Sequence, residues 1–248
     1  MVEPEDIKPL LRCAVRRPDN LMLIEPCRQY LAAARFGRRQ KLEIAESASA
    51  GVMPGTITHN RQETEKGLFG SSHRTQRLLG PLSALDPVYD DADKLKVLSI
   101  GPRTEMELLH LMGLGFKAEN IRGIDLISSS PMIDVGDMHA LPYPDKTFDV
   151  VISGWVLTYS SNPGQAIKEM CRVCKPGGLI AIGTTYDPFY GEGYVAGTKD
   201  DPENIQGSMF LSFSEFIHHI NTEFVTIFTA APLSEDHKGP VMFIARLV

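Results

Sequence analysis

The sequence predicts an α/β protein: a Rossmann-like seven-stranded, mainly parallel sheet with an antiparallel last strand over residues 91–248, preceded by a helical N-terminal appendage over residues 1–90. Three observations lead there. After "DDADK", short β-branched runs bounded by Gly, Pro or Asp recur: "KLKVLSIG", "IRGIDLI", "FDVVISGW", "GLIAIGTT", "FVTIFTAAP" and "PVMFIARLV". The earlier runs alternate with helix-like stretches at residues 105–114 and 163–173, the signature of βαβ units with right-handed crossovers. The last two are separated by "LSEDHKG", a hairpin-length connection, so they are expected to be antiparallel to each other.

Each element follows in order. Before residue 50, apolar positions including Leu10, Leu11, Val15, Leu21, Leu23, Tyr30, Leu31 and Ala34 suggest short helices broken at Pro18 and Pro26. Residues 51–72 turn polar and aperiodic and are expected to form a long loop. A helix is expected over residues 74–85, stopped at Pro87. The first strand ends at Gly101, and the next helix has Thr104 as N-cap, Glu107 completing a capping box, and Gly113 or Gly115 as its stop. A short third strand lies in "MIDVGDM", and "SFSEFIHHI" reads as a helix before the final strand pair. No internal repeat is visible.

Composition excludes several classes. With 248 residues, 43% of them hydrophobic, the chain can bury a substantial core. Its apolar runs are a few residues long, far short of the ~20 needed to span a bilayer, so no membrane span is expected. Residues 1–10 contain Glu3, Glu5 and Asp6, unlike a secretion signal. Four cysteines are too few for a disulfide scaffold, and a cytoplasmic location is the expectation. Cys171 and Cys174 form a C-x-x-C at a helix end without a second pair at zinc-ligand spacing. The basic segment "RFGRRQK" (residues 35–41) either faces an anionic partner or is a solvated helix end. No basic stripe interleaved with aromatics is present, so nucleic acid is not an expected partner.

In open α/β sheets, ligands lie outside the carboxyl ends of the strands. Those stations are residues 101–105, Asp125, Asp137 with Met138, and residues 154–159. The stretch "GDMHALPYPDKTFDVV" (residues 136–151), followed by "NPGQAIKEMCRVCKPGGLIAIG" (residues 162–183), resembles the class I S-adenosylmethionine-dependent methyltransferases, in the branch reading GDxxxLPFxDxxFD between strands three and four. The resemblance is close over residues 94–185, loose in the last two strands, and absent before about residue 85. It implies S-adenosyl-L-methionine as cofactor and S-adenosyl-L-homocysteine as product.

Asp125, twenty-four residues after Gly101, either accepts hydrogen bonds from a ribose diol or is a strand-terminating turn residue. By resemblance, Asp137 accepts from the adenine amino group, the Met138 backbone and thioether address the ring, and Ser153 belongs to the cofactor side. The glycine loop departs from the family's Asp/Glu-x-Gly-x-Gly-x-Gly: "SIGPRTE" keeps Gly101, puts Ser99 in the acid's place, and puts Arg103 and Glu105 at the other glycine positions. Arg103 then either pairs with the cofactor carboxylate at a helix N-terminus, or Arg103 and Glu105 pair together or face solvent and the pocket is altered. The G-x-G-x-x-G of a nicotinamide enzyme is absent.

On the acceptor side, Trp155, Tyr159 and Tyr186 follow strands four and five. Trp155 walls the acceptor pocket, or lies near the sulfonium as a cation–π face, or is buried between helix and sheet. Residues 186–197 resemble a substrate-covering loop in placement. No base stands out among His139, Tyr159, Tyr186 and Asp187, and helix positions suffice to explain His218 and His219. "SGWV" replaces the Asn/Asp-Pro-Pro-Tyr/Phe of the base-methylating branch. This points to a small-molecule acceptor, a sugar or natural-product hydroxyl. The appendage would serve as a lid or as a homodimerisation arm. The alternative is a non-catalytic member of the fold, a binding or regulatory module with a degenerate glycine loop.

Overall fold

The computed structural model describes residues 16–39, 42–45, 51–52, 55–66, 73–186, 194–196, 205–207, 224–230 and 239–248. Helices α1 (Glu25–Arg39), α2 (Thr56–Lys66), α3 (His73–Ser83), α4 (Glu105–Gly113) and α5 (Pro163–Val173) surround one seven-stranded sheet. Its strands are β1 (Val97–Ile100), β2 (Ile121–Asp125), β3 (Ile133–Val135), β4 (Phe148–Gly154), β5 (Cys174–Tyr186), β6 (Phe224–Ala230) and β7 (Gly239–Leu247), in spatial order β3-β2-β1-β4-β5-β7-β6. Strands β1 to β5 are parallel, and β7 lies antiparallel between β5 and β6.

The unbroken β-branched runs of the sequence reflect burial of both sheet faces. Val150, Val151 and Ile152 of β4 are all fully buried. On one face, Ala166, Ile167, Met170 and Val173 of α5 pack against Leu98, Val151, Ile180 and Phe243. On the other, Leu78, Leu79 and Leu82 of α3 and Leu108 and Leu111 of α4 pack against Val97, Val150, Ile152 and Leu179. Helix α5 starts where Pro163 follows Asn162, whose side chain accepts from the Gln165 N–H.

Helix α4 ends in a Schellman motif. Gly115 takes φ +107°, its N–H donates to Met112 O, and the Phe116 N–H donates to Leu111 O. At its start Thr104 is the N-cap, accepting from the Met106 N–H at 3.4 Å. The expected capping box does not form, because the Glu107 side chain turns inward to a buried partner described below.

The N-terminal part differs from expectation in two places. Pro26 does not break a helix; it occupies the first turn of α1, where its missing N–H costs nothing. The polar stretch expected as a loop contains α2. Thr56, Asn60 and Thr64, spaced by four, are its buried face. A helix that buries a polar stripe is invisible to hydrophobic periodicity. The 3₁₀ turn Pro18–Leu23 crosses α4 so closely that a Cβ at Gly113 would lie 2.8 Å from Leu23 N. Ala32 of α1 is buried with Met106 and Leu109 of α4.

Cys171 lies on α5 and Cys174 opens β5, where burial pushes its thiol up to about 12. Among the described residues, no cluster of His, Cys, Asp and Glu suits a metal ion, and no helix is long and apolar enough to cross a membrane. The "SFSEFIHHI" helix with His218 and His219, and Asp187, lie outside the described residues.

Candidate functional site

The strand order reverses between β1 and β4, and a crevice opens beside their carboxyl ends. Counted with its open mouth, the empty space there is about 380 Å³. Strand ends supply Ile100, Gly101, Asp125, Asp137, Met138 and Tyr159, while Val52, Thr56 and Asn60 reach in from the N-terminal part.

The β1 loop is shaped for close backbone approach. Gly101 takes φ +70°, and a Cβ there would meet the Val156 side chain at 2.4 Å. Arg103 replaces a family glycine yet keeps left-handed backbone, φ +54°, which costs a non-glycine residue about 1–2 kcal/mol. Its N–H donates to Asp125 Oδ2 at 2.9 Å, and its guanidinium donates to Asn60 Oδ1 at 3.2 Å. Asp125, buried at the crevice wall, also accepts the Ile127 N–H. Burial pushes its pKa up against the lowering effect of these donors. Arg103 and Glu105 do not pair together. Glu105 is buried, accepts from Ser130 Oγ, and forms a 2.9 Å ion pair with Arg35 of α1, so one member of the basic segment docks the appendage.

The other end of the crevice is built on the β3–β4 connection. Asp137 Oδ1 accepts the His139 N–H at 2.9 Å and lies 2.6 Å from His139 Nδ1. Met138 is nearly buried. The connection is held by Arg172 of α5, which donates to Leu141 O, Tyr143 O, Asp145 and both oxygens of Glu169, while Glu169 accepts the Leu141 N–H. The "LPYPD" and "EMCR" portions of the sequence pattern are thus one hydrogen-bonded clamp.

Of the described acceptor-side side chains, Tyr159 lines the crevice. Its hydroxyl lies 3.4 Å from Nε2 of His59 on α2, a neighbour no sequence signal pointed to. Trp155 is placed away from the crevice. It adopts φ +60°, its indole N–H donates to Thr185 Oγ1 at 2.9 Å, and its ring lies so close to Gly183 that a Cβ there would be 2.7 Å away. It belongs to the core formed with α3 and α4, the buried alternative weighed above. Ser153 does not line the crevice either: its Oγ is fully buried and has no hydrogen-bond partner among the described residues. Tyr186 ends β5, and its side chain lies outside the described residues.

Glu107 is the buried group the sequence hid. Its Oε1 accepts from Ser99 Oγ at 2.6 Å, and Thr75 hydrogen-bonds it as well. Burial raises its pKa to about 7, partly opposed by those two hydrogen bonds. Ser99 stands where the family places its acid, so a carboxyl from α4 returns to the same strand from the neighbouring element.

A 3-2-1-4-5-7-6 sheet with β7 reversed, and a crevice at its switch point, define the class I methyltransferase fold. Residues 104–182 match a family model described as a methyltransferase domain. The malonyl-[acyl-carrier protein] O-methyltransferase 1 of Coxiella burnetii is 28% identical over 148 residues, covering 53% of this chain and 51% of that protein. The biotin biosynthesis bifunctional protein BioHC of Teredinibacter turnerae is 46% identical over 50 residues, 20% of this chain and 9% of that protein. The chain thus spans about half or less of these relatives. The solved structure of a Pyrococcus horikoshii protein superposes with TM-score 0.53 at 18% identity, covering 73% of this chain and 93% of that one. Another, from Listeria monocytogenes and named for S-adenosylmethionine-dependent methyl transfer, gives 0.52 at 14% identity, covering 71% and 96%. Both share the fold.

Proposed function

We propose that this protein is an S-adenosylmethionine-dependent methyltransferase acting on a small-molecule acceptor, a sugar or natural-product hydroxyl. The observation that supports it most is the crevice itself, where Gly101, Asp125, Asp137 and Met138 meet at the switch point. The left-handed backbone at Arg103 preserves the loop path although the glycine is gone. Asp125 would hold the ribose, Asp137 and Met138 the adenine, and Arg103 the carboxylate of the methionyl end. The bound cofactor would supply an electrophilic methyl group. The protein's part is to hold the acceptor in line with it and to exclude water. Val52, Thr56 and Asn60 suit the N-terminal residues to a lid. Tyr159, with His59 beside it, would meet the acceptor.

The test is calorimetric titration with S-adenosylhomocysteine. Micromolar binding is expected, weakened by about 1.5–3 kcal/mol in Asp125→Ala through loss of hydrogen bonds to a charged acceptor. No binding at millimolar ligand overturns the proposal in favour of a non-catalytic member of the fold. Unchanged affinity in folded Asp125→Ala overturns the ribose assignment alone.

A further inference from the structure

Behind Asp137 lies a buried chain of polar side chains, His139 and Ser160, to which the proposed reaction gives no role. Asp137 Oδ1 is 2.6 Å from His139 Nδ1, and His139 Nε2 is 2.7 Å from Ser160 Oγ. The His139 side chain is 4% exposed and Ser160 is fully buried. Ser160 Oγ accepts the Asn162 N–H at 3.0 Å. Nδ1–H donates to the Asp137 carboxylate, and Nε2 shares a hydrogen bond with the Ser160 hydroxyl. The carboxylate receives both the ring N–H and the His139 backbone N–H.

The three residue types also make up hydrolytic triads, but here Ser160 is sealed in. The Val52 backbone bridges to Ser160, the Ser161 N–H donates to Gly51 O, and Gly51 lies flat on the imidazole, where a Cβ would be 2.7 Å from the ring. A fully buried hydroxyl cannot reach a substrate. What the chain touches is Asp137 at one end, which lines the crevice, and residues 51 and 52 at the other, of which Val52 lines it too.

We propose that His139 is a positioning residue. It fixes the Asp137 carboxylate so that the site selects a purine with an exocyclic amino group, and it ties that carboxylate to the Gly51–Val52 strap closing the crevice. This rests on the proposed cofactor reading and deepens it. Rotation of an unsupported Asp137 would lose aim at the amino group without emptying the crevice, so base preference falls more than stability requires.

The test compares the affinity of the full chain for S-adenosylhomocysteine with that for S-inosylhomocysteine, which carries an oxygen in place of the amino group. Wild type is expected to prefer the adenine ligand. His139→Leu should cut that preference about tenfold or more, the scale of one hydrogen bond to a charged group. His139→Asn, whose amide replaces the Nδ1–H donor, should restore most of it, a rescue that general loss of packing would not show. Ser160→Ala keeps the ring, and a preference reduced about threefold is expected; it serves as the second probe if His139→Leu does not fold. An unchanged preference in these variants overturns the inference and leaves the cofactor reading standing. A wild type that binds neither ligand overturns both.

Discussion

Replacing Glu107 by Gln measures what a buried carboxyl costs this fold. The group sits between Ser99, Thr75 and β4, and burial raises its pKa from 4.5 to about 7. Below pH 4.5 the carboxyl is protonated in both states. Between 4.5 and 7 the unfolded chain releases the proton while the folded chain keeps it, so stability falls as pH rises and levels off above 7. At 1.36 kcal/mol per pH unit between the two values, the folded state loses about 3 kcal/mol across that window. Gln cannot ionise and still offers Ser99 an acceptor. Urea denaturation of wild type and Glu107→Gln at pH 5 and pH 8 isolates the term, since other titrating groups cancel in the difference. The two should agree within about 1 kcal/mol at pH 5. At pH 8 the variant should be more stable by about 3 kcal/mol. A stability gap that is the same at both pH values refutes the buried-carboxyl argument.

Three further outcomes are expected. Arg103→Ala should weaken S-adenosylhomocysteine binding by about 1.5–3 kcal/mol while leaving 5′-methylthioadenosine, which lacks the carboxylate, nearly unaffected; equal losses for both ligands would remove Arg103 from the carboxylate. Arg172→Ala should lower stability by about 2 kcal/mol in denaturant titration, since it releases the clamp on residues 141–145; a loss below about 0.5 kcal/mol, the level of an exposed ion pair, would show that the clamp holds nothing. Gly113→Ala should destabilise by about 1–2 kcal/mol in thermal melts, because its Cβ meets backbone atoms of Met22 and Leu23 rather than a side chain that could move; a stabilised variant would show that the turn is not pressed on α4.

The sheet, its helices on both faces and the positions of Gly101, Asp125, Asp137 and Met138 were legible because strand ends and βαβ alternation are local patterns. Gly, Pro and Asp mark the turns, and the crevice follows from strand polarity. Helix α2 was not legible, because its buried face is Thr56, Asn60 and Thr64 rather than an apolar stripe. Nor was the location of Trp155 and Ser153, whose side chains follow strand β4 into packed layers instead of the crevice. The partnerships that shape the site are long-range: Arg35 with Glu105, Arg103 with Asn60, Ser99 with Glu107, His139 with Ser160. Spacing along the chain decides which residues reach a strand end. Which of them meet, and which carboxyl is buried with a hydroxyl rather than exposed to a ligand, depends on how helices from distant parts of the chain close over the sheet, and only the tertiary structure decided that.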